Sequence, residues 1–131
     1  MRITLDMKIY KYVTMTLGVV LLSCSGDNVF ILPPQHWQDI EIVVEPRPAP
    51  VRAGSTEFLV RATAKDGRAA HDLIISLRMD DATPWRQAIQ DGQTGVYRRG
   101  LAVKAGQESL FVQLRRKGQE DVLTFPLHVN Q

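Results

Sequence analysis

Leu73-Ile74-Ile75-Ser76-Leu77-Arg78-Met79 (LIISLRM) is the stretch that decides the fold. Leu73, Ile75, Leu77 and Met79 fall on one side of an extended chain, and Ser76, Arg78 and Asp80 on the other. That is a period of two, the pattern of a strand with one buried face, and not the 3.6 of a helix. Working outward, the same alternation recurs. Residues 55–64 (STEFLVRATA) place Phe58, Val60 and Ala62 on one side and Glu57, Leu59, Arg61 and Thr63 on the other. Lys65-Asp66-Gly67-Arg68 lies between the two runs, and Asp-Gly in such a place predicts a hairpin turn.

Downstream, residues 95–103 (GVYRRGLAV) and 109–116 (SLFVQLRR) are joined by Lys104-Ala105-Gly106-Gln107. Lys117-Gly118-Gln119 then turns into residues 121–129 (DVLTFPLHV), where Leu123, Phe125, Leu127 and Val129 share a face. Pro126 has no N–H for a central ladder, so this last run is an edge or bulged strand. Upstream, residues 40–45 (IEIVVE) are β-branched, and Pro46, Pro48 and Pro50 confine residues 46–50 to an edge or crossover. Residues 85–90 (WRQAIQ) are a weaker strand candidate. Short strands with turn signals about every 8–14 residues predict an all-β chain, an immunoglobulin-like antiparallel β-sandwich of about seven strands over residues 39–131. Tyr97 is expected to cap the core and tie a loop through its hydroxyl, and Trp85 is expected in the core.

The 131 residues suffice for one ordinary domain. Their 44% hydrophobic and 23% charged content is that of a folded globular protein. The formal charge of +2 is carried by the first 23 residues, where Arg2, Lys8 and Lys11 outnumber Asp6; the remainder is formally neutral. A neutral body gives no support for nucleic-acid binding, which needs a basic face.

Those first residues have three parts: basic Met7-Lys8-Ile9-Tyr10-Lys11, apolar residues 13–22 (VTMTLGVVLL), then Ser23-Cys24-Ser25-Gly26. This is the order of a secretory signal, and the apolar run is too short to span a bilayer. Met7 makes a more compact start than Met1, since residues 1–6 add Asp6 ahead of the basic stretch. Leu21-Leu22-Ser23-Cys24 resembles the lipobox of bacterial lipoproteins. The resemblance implies a thioether-linked diacylglyceryl group on Cys24, cleavage between Ser23 and Cys24, and acylation (palmitate or similar) of the new amino terminus. Leu22 is bulkier than that family's usual residue at its position. A buried structural thiol and a stray secreted cysteine are the other readings of Cys24. A lone thiol in an exported chain is a liability unless used, and the ordered leader weighs for lipidation. Residues 1–23 are thus read as a signal peptide and 24–38 as a lipid-anchored tether containing Pro33-Pro34. Ser25, not Asp, after the cysteine implies the outer rather than the inner membrane, facing the periplasm. Val29, Phe30, Ile31 and Leu32 are too apolar for a pure linker and are expected either to pack on the domain or to sit near the headgroups.

A second resemblance rests on three pieces in order. They are residues 46–54 with Phe58-Leu59-Val60-Arg61-Ala62 and Asp66-Gly67; then Leu73 to Met79; then Gly92 and Gly95-Val96-Tyr97-Arg98. Over residues 42–114 this is similar to the small periplasmic domains called YtkA-like, related to FixH proteins. The resemblance implies an immunoglobulin-like fold and an accessory role in copper handling or respiratory oxidase assembly. The paired methionines often seen in that family are reduced here to Met79.

Chemistry-bearing patterns are few. His36, His71 and His128 lie far apart in sequence, without H-x-x-x-H, C-x-x-C or H-x-H spacing. A Cu(I) site wants soft ligands, so His71 with Met79 is the one candidate metal pair, against the plainer reading of isolated surface histidines. No other metal or cofactor is expected. Asp80-Asp81 point apart in an extended chain, and no G-x-S-x-G elbow or phosphate-binding glycine loop occurs. Arg98-Arg99 and Arg115-Arg116-Lys117 are expected on neighbouring strands. They would form either a docking patch for an acidic partner or lipid headgroups, or plain protection of sheet edges. The expectation is a membrane-anchored envelope lipoprotein whose sandwich is a non-enzymatic protein-interaction or assembly module. The copper accessory role is the alternative.

Overall fold

Residues 30–130 are described by a computed structural model. Ser23, Cys24 and the leader lie outside the described residues. Alternating apolar residues form strands, and the strands pack as two antiparallel sheets. In chain order they are β1 (Gln35–Trp37), β2 (Ile40–Arg47), β3 (Gly54–Ala64), β4 (Ile74–Arg78), β5 (Arg86–Gln87), β6 (Ile89–Gln90), β7 (Val96–Val103), β8 (Ser109–Arg116) and β9 (Gln119–Pro126). One sheet runs β1-β2-β3-β7-β6 and the other β5-β4-β8-β9. The chain is an all-β sandwich.

The core lies between the sheets. Ile40, Ile42 and Val44 of β2, with Phe58, Val60 and Ala62 of β3, face Ile75 and Leu77 of β4 and Leu110, Val112 and Leu114 of β8, all buried. Leu73 and Met79 are buried as their period predicts, and Phe125 and Leu127 complete one end of the core. Each fully buried aliphatic or aromatic side chain of this kind contributes roughly 1.5–3 kcal/mol.

Turn chemistry matches backbone geometry most directly at Lys117-Gly118. Both have positive φ, 50° and 81°. They join β8 to β9 as a two-residue hairpin with Arg116 opposite Gln119, and such loops favour positive φ at both positions. Pro126 ends β9, an edge strand, as its missing N–H requires.

Four expectations are corrected. The Asp66-Gly67 turn closes tightly, with the Arg68 amide donating to Asp66 Oδ1 at 3.0 Å. It does not, however, make a β3–β4 hairpin: after the single Thr63–Ala69 bridge the chain crosses to the other sheet. Residues 85–90 are two short strands, not one. Gln87 pairs with Ser76 in one sheet and Ile89 with Arg98 in the other, with buried Ala88 at the switch. The tether boundary at residue 38 falls inside the fold. Leu32 and Trp37 are core residues, the Leu32 amide donates to the Val44 carbonyl at 2.9 Å, and β1 pairs with β2. Trp85 lies outside the core, half-buried, with the Arg78 guanidinium 4.2 Å from its ring centroid.

Both sides of the sandwich are closed. On one side Ala88 carries the chain from sheet to sheet. On the other, β1 reaches β9: Trp37 Nε1 donates to Asp121 Oδ2 at 3.0 Å, Gln35 Nε2 donates to the Thr124 carbonyl at 2.7 Å, and Gln38 meets Gln119.

Candidate functional site

The basic residues singled out from sequence do not share one face. Arg98 and Arg99 stand on β7 in the five-stranded sheet, whereas Arg115 and Arg116 stand on β8 in the four-stranded one, with Lys117 in the following turn. The two basic runs therefore sit in different sheets and not on neighbouring strands.

Arg98 is held by carboxylates. Its Nε donates to Asp91 Oδ2 and its Nη1 lies 3.4 Å from Glu57 Oε1. The hydrogen bond and charge of Asp91, with Glu57 behind it, push the guanidinium pKa above its already high ordinary value. Arg99 is half-buried opposite Phe58, and with Glu57, Ile89, Asp91, Arg98 and Gly100 it lines a shallow hollow of about 390 Å³.

Arg116 ties together three segments at one end of the sandwich. Its Nε donates to Asp72 Oδ2 at 3.0 Å and its Nη1 to Asp39 Oδ1 at 3.4 Å. Burial would raise the Asp72 pKa, but the Arg116 hydrogen bond, the residue's own backbone amide, and the charges of Arg116 and Lys117 outweigh it. The carboxyl is held below its ordinary 3.8. Arg98 and Arg116 thus fasten turns, while Arg115 and Lys117 are exposed cations.

His71 and Met79 do not meet. They flank β4 at opposite ends, His71 exposed and Met79 buried. A five-residue strand sets such flanking residues more than about 16 Å apart. His36 Nε2 lies 3.8 Å from Glu41 Oε2, and His128 is exposed near the chain end. Among the described residues no group of three or more His, Cys, Asp and Glu side chains is placed to hold a metal ion.

Sequence reasoning missed two features. A half-open cleft of about 590 Å³ lies at the Arg116 end, lined by His36, Gln38, Asp39, Glu41, Thr63, Ala64, Lys65 and Gly67. Its residues come from β1, the turn after it, β2, the end of β3 and the turn that follows β3, and no local pattern links them. The cleft mixes carboxylates, an imidazole and an ammonium, so it can receive polar or charged groups of either sign. The second feature is the Arg78–Trp85 stack, in which Arg78 Nη2 also donates to Asp81 Oδ1 at 3.1 Å. Arg78 Nε is buried without an acceptor, and the ring's attraction for the cation offsets part of that cost. Trp85, seven residues after Arg78 and preceded by Pro84, is too loose a signal to predict it.

Comparison with known protein families, curated proteins and solved structures returned no match to this chain.

Proposed function

We propose that the chain is exported, lipidated on Cys24 and held at the periplasmic face of the outer membrane. Its sandwich then serves as a non-enzymatic module that docks another envelope protein. The observation that carries this reading is the placement of Leu21-Leu22-Ser23-Cys24 with only residues 25–31 between it and Leu32, a buried core residue. The leader and the folded body are contiguous, with a leash too short for another domain between them. Two acyl chains give stable anchoring where one gives marginal binding.

The strand orders β2-β3-β7-β6 and β4-β8-β9 support an immunoglobulin-like reading, since they follow the A-B-E-D and C-F-G arrangement of such sandwiches, with β1 and β5 as added edge strands. Charged side chains on both sheets pair with carboxylates, Arg98 with Asp91 and Glu57 and Arg116 with Asp72 and Asp39. Pairing of this kind suits a rigid display surface.

Cys24→Ala tests the anchor: an uncut precursor or a released protein is expected, and unchanged processing with unchanged membrane fractionation refutes it. Photo-crosslinking in intact cells from Arg115 and Lys117 tests the docking role. A discrete protein adduct is expected, and recovery of none from either position counts against it.

A further inference from the structure

The N-terminal segment enters the sandwich from one particular end. Leu32 is level with Val44, and β1 runs antiparallel to β2 with Gln35 opposite Ile42 and Trp37 opposite Ile40. Followed backward from Leu32, the chain therefore heads toward Arg47, where β2 finishes. Gly54 pairs with Val103 at this end, and Arg52 bridges Asn130. The opposite end carries the turns at 38–39, 65–67 and 117–118 and the cleft beside His36.

Phe30 and Ile31 are 48% and 42% exposed, although Leu32 beside them is buried. Single exposed apolar residues are ordinary. Here two large ones are consecutive and lie where the chain comes from its attachment point. Only residues 25–29 separate Cys24 from Phe30, and so short a segment reaches at most about 20 Å fully extended. The exposed charges at this end are mixed in sign, Arg47 (paired with Glu45), Arg52, Arg86 and Lys104 beside Asp81 and Glu108, with cations in modest excess. The apolar part of its attraction for a surface comes from Phe30 and Ile31.

We infer that the end of the sandwich at which Phe30 and Ile31 emerge lies on the bilayer, with those two side chains at headgroup depth. The opposite end, with Lys117 and the His36 cleft, is thereby presented away from the membrane. The inference rests on the anchoring of Cys24 and adds to it a membrane-contact surface and an orientation.

The test places a photoactivatable benzoylphenylalanine at Ile31 in one full-length chain and at Lys117 in another. Each is purified from membranes and reconstituted in vesicles of phosphatidylethanolamine and phosphatidylglycerol. Mass spectrometry should find about tenfold more lipid adduct at position 31 than at 117, since only the former sits at headgroup depth. Equal adducts at both positions, or none at 31, overturn the inference. The intact mass reports lipidation of Cys24 separately. If Cys24 carries no lipid the anchor reading fails. The same measurement on a chain coupled through the Cys24 thiol to a maleimide-bearing lipid then still decides the orientation.

Discussion

The Tyr97 hydroxyl donates to the Ala70 carbonyl at 2.9 Å, across 27 residues of chain. The same oxygen accepts from the Leu73 amide at 3.3 Å. One buried side chain on β7 thus satisfies a carbonyl and an amide of the segment by which the chain crosses from β3 to β4. It fixes where β4 starts, and so which residues of that strand face inward.

Tyr97→Phe keeps the ring and strands both backbone groups. Buried groups left unpaired cost about 1–3 kcal/mol, so the urea midpoint should fall with an unchanged slope. Burial, opposed by the Leu73 hydrogen bond and aided by the Asp72 charge, raises the Tyr97 pKa above 10.0. The unfolded chain therefore releases this proton first. Stability from this group is complete below pH 10 and is lost as pH rises through the folded pKa. The difference between wild type and Y97F should shrink across that alkaline range; a constant difference would show that the phenol is not buried.

Gly95 has φ +74°, and a Cβ there would lie 2.8 Å from the Ala62 carbonyl oxygen and 3.0 Å from Ala69 Cβ. Gly118 has φ +81° with open space around it. Both alanine variants incur conformational strain of about 1–3 kcal/mol, but only Gly95→Ala adds a collision with backbone. Thermal unfolding should rank G95A well below G118A, and equal melting temperatures would refute the close approach.

Asp72 and Arg116 form a partly exposed pair, so its worth is discounted to about 0.2–1 kcal/mol and is screened by salt. Asp72 has its pKa depressed in the folded chain. Its contribution is present above the ordinary carboxylate value and disappears as pH falls through the lower folded one. A double-mutant cycle of D72N with R116Q should give a small coupling at neutral pH and none in strong acid or high salt.

A chain begun at Asp39 omits Leu32, Trp37 and β1, whereas one begun at Phe30 keeps them. Losing one large apolar side chain from a core costs about 2–5 kcal/mol, and a small domain has only about 5–15 kcal/mol in total. The Asp39 chain should melt far lower or fail to fold when followed by circular dichroism. Equal melting would restore the boundary read from sequence.

That boundary shows what a sequence can and cannot carry. The faces of β3 and β4 were legible because alternation is local: Phe58, Val60, Ala62, Leu73, Ile75, Leu77 and Met79 are all buried as their spacing requires. Partnership is not local. Asp66-Gly67 encodes a tight turn but not whether the strands on either side of it pair, and here β3 and β4 belong to different sheets. Arg98 and Arg115 illustrate the same limit, since adjacency along the chain of β7 and β8 does not make them neighbours in space. β1 was hidden by its brevity behind Pro33-Pro34, and its Trp37 is recognisable only once Asp121 is seen beside it. Ala88 divides a six-residue run between two sheets, a change that no period within the run can encode.

The direction of β1 has a mechanical consequence. A pull delivered through the residues before Leu32 acts along the strand, while the ladder to β2 runs perpendicular to it. The Leu32–Val44, Gln35–Ile42 and Trp37–Ile40 contacts are then loaded together in shear and do not open one at a time like a zipper. Trp37 and Gln35, fastened to β9, pass the load into the second sheet. A domain hung by its N-terminus in this way resists tension with its whole seam.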